Sequence, residues 1–125
     1  MLRGEVRLTD LDPVRGAESN KRRPAVIVSN DRANAAATRL RRGVLTVVPV
    51  TSNTDRVFAF QTLLPSGDTG LHTDSKAQAE QVRSVSVERI GPVVARLPPA
   101  LMAQLDDALR LHLQLEAGSD RGTKP

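Results

Sequence analysis

The ten residues VLTVVPVTSN, 44–53, decide the fold. Val and Thr crowd this run, and β-branched side chains suit a pleated surface better than a helix. Such a run predicts a central strand. Pro49 has no N–H to give a ladder, so the strand must meet an edge or a bulge near its end, where Thr51 and Ser52 stand. Working outward, PAVIVS (24–29) is a second buried strand, bounded by Pro24 and by Asn30-Asp31. The Ala-rich stretch from Asp31 to Leu40 predicts one or two helical turns. Glu5 to Leu8 is a short first strand, followed by a turn at Asp12-Pro13 and the polar loop VRGAESNKRR.

Downstream of the central run, Asn53 to Arg56 is a polar turn and Phe58 to Leu64 a strand, so the two runs predict a hairpin. Pro65 to Asp74 is loop by its Gly, Pro and Asp content. Ala77 to Val87 and Ile90 to Leu97 are two further strands. From Pro98 the period changes to about 3.6, and Leu101, Leu105, Ala108, Leu109 and His112 share one helical face. Asp106 and Arg110 are spaced for an ion pair on that helix. EAGSDRGTKP, 116–125, is a frayed tail. The sum is one mainly β domain over residues 1–115, a small antiparallel barrel or sheet with a helix packed on it.

Composition narrows the chemistry. With 125 residues, 39% hydrophobic and 26% charged, the chain fits a single globular domain. It has no cysteine, which excludes thiol catalysis, disulfides and Cys-ligated metal and fits a reducing cytoplasm. No apolar run is long enough to span a membrane, and MLRGEVRLTD does not read as a signal peptide. Residues 1–42 hold ten basic and five acidic side chains, so the positive charge sits in the first third and suits an anionic partner. The only aromatics are two Phe, which disfavours nucleic-acid binding on an aromatic platform.

The usual catalytic signatures are missing. His72 and His112 would make an acid–base pair only if the fold joined them, and the pattern reads His72 as an ordinary loop residue and His112 as a partly buried one. Asp10, Asp12 and Glu18 have no metal-ligand spacing, and there is neither a GxSxG turn nor a phosphate-cradling Gly-rich loop. What remains is Arg-led: Lys21-Arg22-Arg23 before one buried strand, and Thr51 and Ser52 at the end of another. Singly, a basic triplet is a solvated face and a Thr an ordinary strand end. Such a set can still cleave RNA without a metal, because the 2′-hydroxyl attacks its own phosphate and the protein need only orient it, move protons and stabilise charge. Arg is a poor base at its ordinary pKa, leaving Glu18 or a bound water as proton acceptor.

The blocks RGEV (3–6), LDPVRGAE (11–18), KRRPAVIVSND (21–31), VVPVTSN (47–53), GL (70–71) and AEQVRSV (79–85), in this order, resemble the MazF/PemK family, the toxin halves of bacterial toxin–antitoxin modules. The likeness runs from about residue 3 to Leu115. It implies a small SH3-like antiparallel β-barrel of PemK/CcdB type with a C-terminal helix, working as a homodimer. It implies an endoribonuclease, free of metal and cofactor, that cuts single-stranded RNA such as messenger RNA at a short sequence to leave a 2′,3′-cyclic phosphate and a 5′-hydroxyl. The family's essential Arg falls on Arg23, its essential Thr on Thr51, and the Glu of its Gly-x-Glu loop on Glu18. RNA contacts would come from Arg15, Lys21, Arg22, Ser52 and Asn53. Arg7 stands where the family often has Trp, so any stacking there falls to a guanidinium plane. The implied partner is a MazE-like antitoxin whose flexible acidic segment fills the basic groove. Two other readings differ in class: a CcdB-like toxin that binds DNA gyrase without catalysis, and a nucleic-acid-binding barrel without cleavage. A pure binder has no need of both Arg23 and Thr51, and the last reading predicts steep salt dependence with intact RNA.

Overall fold

The computed structural model describes residues 1–11 and 22–116. Its strands are β1 (Glu5–Asp10), β2 (Arg22–Ile27), β3 (Val44–Thr51), β4 (Gln61–Leu64), β5 (Ser75–Gln78), β6 (Arg83–Ser86) and β7 (Ile90–Arg96), with helices α1 (Asp31–Leu40), α2 (Ser66–Thr69) and α3 (Pro99–Leu113). All pairings are antiparallel, in the order β4-β5-β3-β2-β1-β7, with β6 also on β3. Among the described residues β4 and β7 do not pair, so the sheet stays open.

The VLTVVPVT run is the hub. One edge of β3 takes β2, with Val48 opposite Val26. Its other edge takes two strands end to end: β6 along Val44–Val47 and β5 at Val50 and Thr51. The continuous strand expected from Ala77 to Val87 is therefore two, parted by a 3-10 turn at Ala79–Gln81 that buries Ala79. The expected β3–β4 hairpin does not form. β4 pairs with β5 instead, Leu63 opposite Lys76, because β5 already holds the edge at Thr51 and residues 52–60 are too long for a tight turn. Phe58 lies in that connection, ahead of β4.

Period-2 alternation sorts side chains into two cores. Val6, Val26, Val48, Val50, Leu64 and Ala77 pack against Leu101, Leu105 and Ala108 of α3. Ala25, Ile27, Leu45, Val47 and Val85 form the other core, with Ala37 of α1. The strand read as central is thus buried on both sides.

α1 is longer than the one or two turns expected, because both ends are capped. Asn30 Oδ1 accepts the Ala33 N–H at 2.8 Å, and Arg41 closes the helix in the left-handed region at φ 52°. Inside it, fully buried Asn34 accepts the Ser29 hydroxyl at 2.5 Å and donates to the Ser29 carbonyl at 2.9 Å. α3 begins with Pro99, where a missing N–H costs nothing. Its predicted Asp106–Arg110 pair is replaced: Asp106 binds Arg3 across the molecule and Arg110 binds Asp107 at 2.8 Å. His112 is exposed rather than partly buried, since the buried stripe stops at Ala108. In the loop from Pro65 to Asp74, α2 makes a single turn and Gly70 takes the left-handed φ of 87° that ends it.

Candidate active site

β2 and β3 run antiparallel, which brings the beginning of one beside the end of the other. An open groove of about 780 Å³ lies there. Arg23 and Pro24 border it from β2, and Pro49, Thr51 and Ser52 from β3 and its exit. Leu8 of β1, Val94 of β7 and the 70–73 loop complete the wall. Arg23, Thr51 and Ser52, singled out in the sequence far apart, thus share one groove.

The Thr51 hydroxyl oxygen accepts the Asn53 N–H at 3.2 Å. A hydroxyl has one proton and two lone pairs, so this bond fixes the oxygen while the proton stays available to donate into the groove. Asn53 is exposed and uses its own Oδ1 to accept the Asp55 N–H at 3.2 Å, so it shapes the turn and does not line the groove.

Arg7 and Arg22 lie elsewhere. Arg7 Nε donates to Glu5 Oε1 and its Nη1 to the Gly91 carbonyl, both at 2.9 Å, which ties the guanidinium across β1 and β7. Arg22 also stands at this glycine: a Cβ on Gly91 would lie 2.6 Å from Arg22 Nη1 and 2.8 Å from the Leu8 carbonyl oxygen. Glu5 is nearly buried and also meets Arg96 at 3.1 Å. Burial alone would raise its carboxyl pKa; the Leu2 N–H, the Arg7 hydrogen bond and the charges of Arg7 and Arg96 outweigh it, so the pKa lies below the ordinary value. Arg15, Glu18 and Lys21 lie outside the described residues.

The groove also contains residues that sequence reasoning missed. His72, read as a plain loop residue, is indeed in a loop, and it borders the groove with Thr73. That loop is pinned at its base, where Asp74 Oδ1 accepts the Ser66 N–H at 2.8 Å, a bond that lowers the exposed Asp74 carboxyl. Proximity of Gly70-Leu71, in a matched block, was the one signal for it. Leu8 and Val94 carried none, because only the pairing of first strand with last brings them together. Among the described residues no three His, Asp or Glu side chains gather as a metal set, and no helix is long and apolar enough to cross a membrane.

Known proteins resemble the chain in sequence and in fold. The family model described as PemK-like, MazF-like toxin of type II toxin-antitoxin system matches residues 2–113. Endoribonuclease MazF9 of Mycobacterium tuberculosis is 61% identical over 115 residues, covering 92% of this chain and 98% of that one. Among solved structures, an endoribonuclease in complex with its cognate antitoxin from a mycobacterial species is 25% identical, with a TM-score of 0.70 over 94% of this chain and 98% of its own. The M. tuberculosis toxin MazF-mt6 shares the fold at 19% identity, with a TM-score of 0.73 over 90% and 99% of the two chains. With the family model and a 61% identical relative both spanning nearly its whole length, the chain belongs to the PemK/MazF family of toxins of type II toxin–antitoxin systems.

Proposed function

We infer that this chain is the endoribonuclease of a toxin–antitoxin pair, cutting single-stranded RNA in the groove between β2 and β3. The observation that carries the residue assignment is the meeting of Arg23 and Thr51 on that groove from different strands. Arg23 binds the scissile phosphate and stabilises the charge that builds on its oxygens as the neighbouring 2′-hydroxyl attacks phosphorus. Thr51, its oxygen fixed by the Asn53 N–H, donates a hydrogen bond to a phosphate oxygen. The 2′ proton passes to Glu18 or to water, and as the bond to the 5′ oxygen breaks that oxygen takes a proton from water, leaving a 2′,3′-cyclic phosphate and a 5′-hydroxyl. Ser52 lines the same wall, and Arg15, Lys21 and Arg22 add positive charge along the RNA.

Residues 1–115 make up the toxin domain, whose curved sheet we read as the family's SH3-like barrel, working as a cytoplasmic homodimer. The antitoxin follows from the same groove: a basic surface that attracts phosphate attracts the carboxylates of an acidic segment. The non-catalytic, gyrase-binding alternative is not favoured, since the relative at 61% identity is named an endoribonuclease.

The test is cleavage of a long unstructured RNA in excess EDTA by wild type and Arg23→Ala, with end mapping. Discrete cuts with cyclic phosphate ends in the wild type, reduced at least about 100-fold in the variant, are the expected result. Near-normal cutting by Arg23→Ala would remove Arg23 from the site.

A further inference from the structure

Phe58 and Phe60 are the chain's only aromatic side chains apart from histidine, and neither belongs to either core. They stack on one another instead, with ring centroids 5.2 Å apart and planes within 5°. The Arg56 guanidinium carbon stands 5.5 Å from the Phe58 centroid. Phe58 is 43% exposed, and Val57 and Leu63 beside it are similarly open. Large rings gain most from burial, so a chain that leaves one of its only two exposed and the other half-buried, with a cation against the outer ring, marks a contact site.

The column is held in place. Lys76 Nζ donates to the Arg56 carbonyl at 2.6 Å. Gln61 Oε1 accepts the Phe58 N–H at 3.1 Å, and its Nε2 donates to Glu80 Oε2 at 2.6 Å. These anchors also locate it. Thr51 lies opposite Lys76, and Lys76 opposite Leu63, so the three share one face of the sheet, and Gln61 points with Leu63. The segment carrying the column therefore lies on Thr51's face, and Leu63 is two strand spacings, about 10 Å, from Thr51.

We propose that the Arg56–Phe58–Phe60 column is a base-stacking subsite, on which an unpaired RNA base one or two nucleotides from the scissile phosphate adds a further layer. A guanidinium plane or ring face takes any base, so the subsite anchors the strand and leaves sequence choice to other contacts. The inference rests on the groove as the site of RNA cleavage.

The experiment uses a short RNA containing the mapped cut site and a series in which each flanking nucleotide is made abasic, with wild type, Phe58→Ala and Phe58→Tyr. In the wild type, one or two adjacent abasic positions should raise KM about tenfold with little change in kcat. Phe58→Ala should show that rise on the intact RNA and no further penalty at those positions, while Phe58→Tyr behaves as the wild type. Equal abasic penalties in wild type and Phe58→Ala at every position would overturn the proposal. So would a Phe58→Ala defect confined to self-association in sedimentation, which would make the column a protein interface. If wild type cuts no RNA, the cleavage reading falls as well; if wild type cuts and Arg23→Ala does not, a flat abasic series removes the stacking subsite alone.

Discussion

Thr51 shows how much one hydroxyl is asked to do. Its oxygen caps the turn through the Asn53 N–H, and its proton is left to donate elsewhere. Thr51→Val keeps the shape and removes both, so cleavage should fall about 100-fold or more; Thr51→Ser should retain most of it, and a full-rate valine variant would exclude the hydroxyl from the chemistry. Gly91 is a second residue with no slack. Its missing Cβ leaves room for the Leu8 carbonyl and the Arg22 guanidinium. The guanidinium can swing away, whereas the carbonyl belongs to a paired strand. Gly91→Ala should therefore cost about 1–3 kcal/mol, read as a lower urea midpoint at unchanged slope.

At the scale of elements, a buried amide ties α1 to the chain that leaves β2, beside Ala37 in the core. Asn34→Ala would strip the Ser29 hydroxyl and carbonyl of their partner, and about 2 kcal/mol of stability should go with it in urea unfolding. What the sequence disclosed about elements follows the same physics. The Val-rich runs of β2 and β3 and the 3.6-residue stripe of α3 were legible because burial writes a local period. The partner of β4 was not, because the edge of β3 goes to β5, a strand that comes only after β4 in the chain. Nor was the partner of Asp106, which turned from Arg110 on its own helix to Arg3 at the other end of the chain. Arg23, Thr51 and Ser52, singled out in the sequence, share the groove; Asn53 and Arg7 are held by hydrogen bonds outside it, and Arg22 stands beside Gly91, contacts that no local pattern discloses. His72 became a groove residue only through the fold.

Across the whole molecule, charge sets both stability and binding. Glu5, clasped by Arg7 and Arg96, titrates below the ordinary glutamate value of 4.5. Its contribution is therefore complete above that value and is lost as pH falls through its lower, folded one. Unfolding free energy should drop between neutral and acid pH more shallowly in Glu5→Gln than in wild type; identical slopes would show that the clasp does not stabilise. RNA affinity should fall steeply with salt, the logarithm changing by about 0.7 per decade for each phosphate neutralised. The pairing of β1 with β7 has one more consequence. Glu5 faces Arg96, and the groove wall takes Leu8 from one strand and Val94 from the other. No stretch of chain that stops short of β7 can carry that wall whole, since Leu8 waits on a strand more than 80 residues further along. The groove is therefore finished late in folding, once the first strand and the last have met.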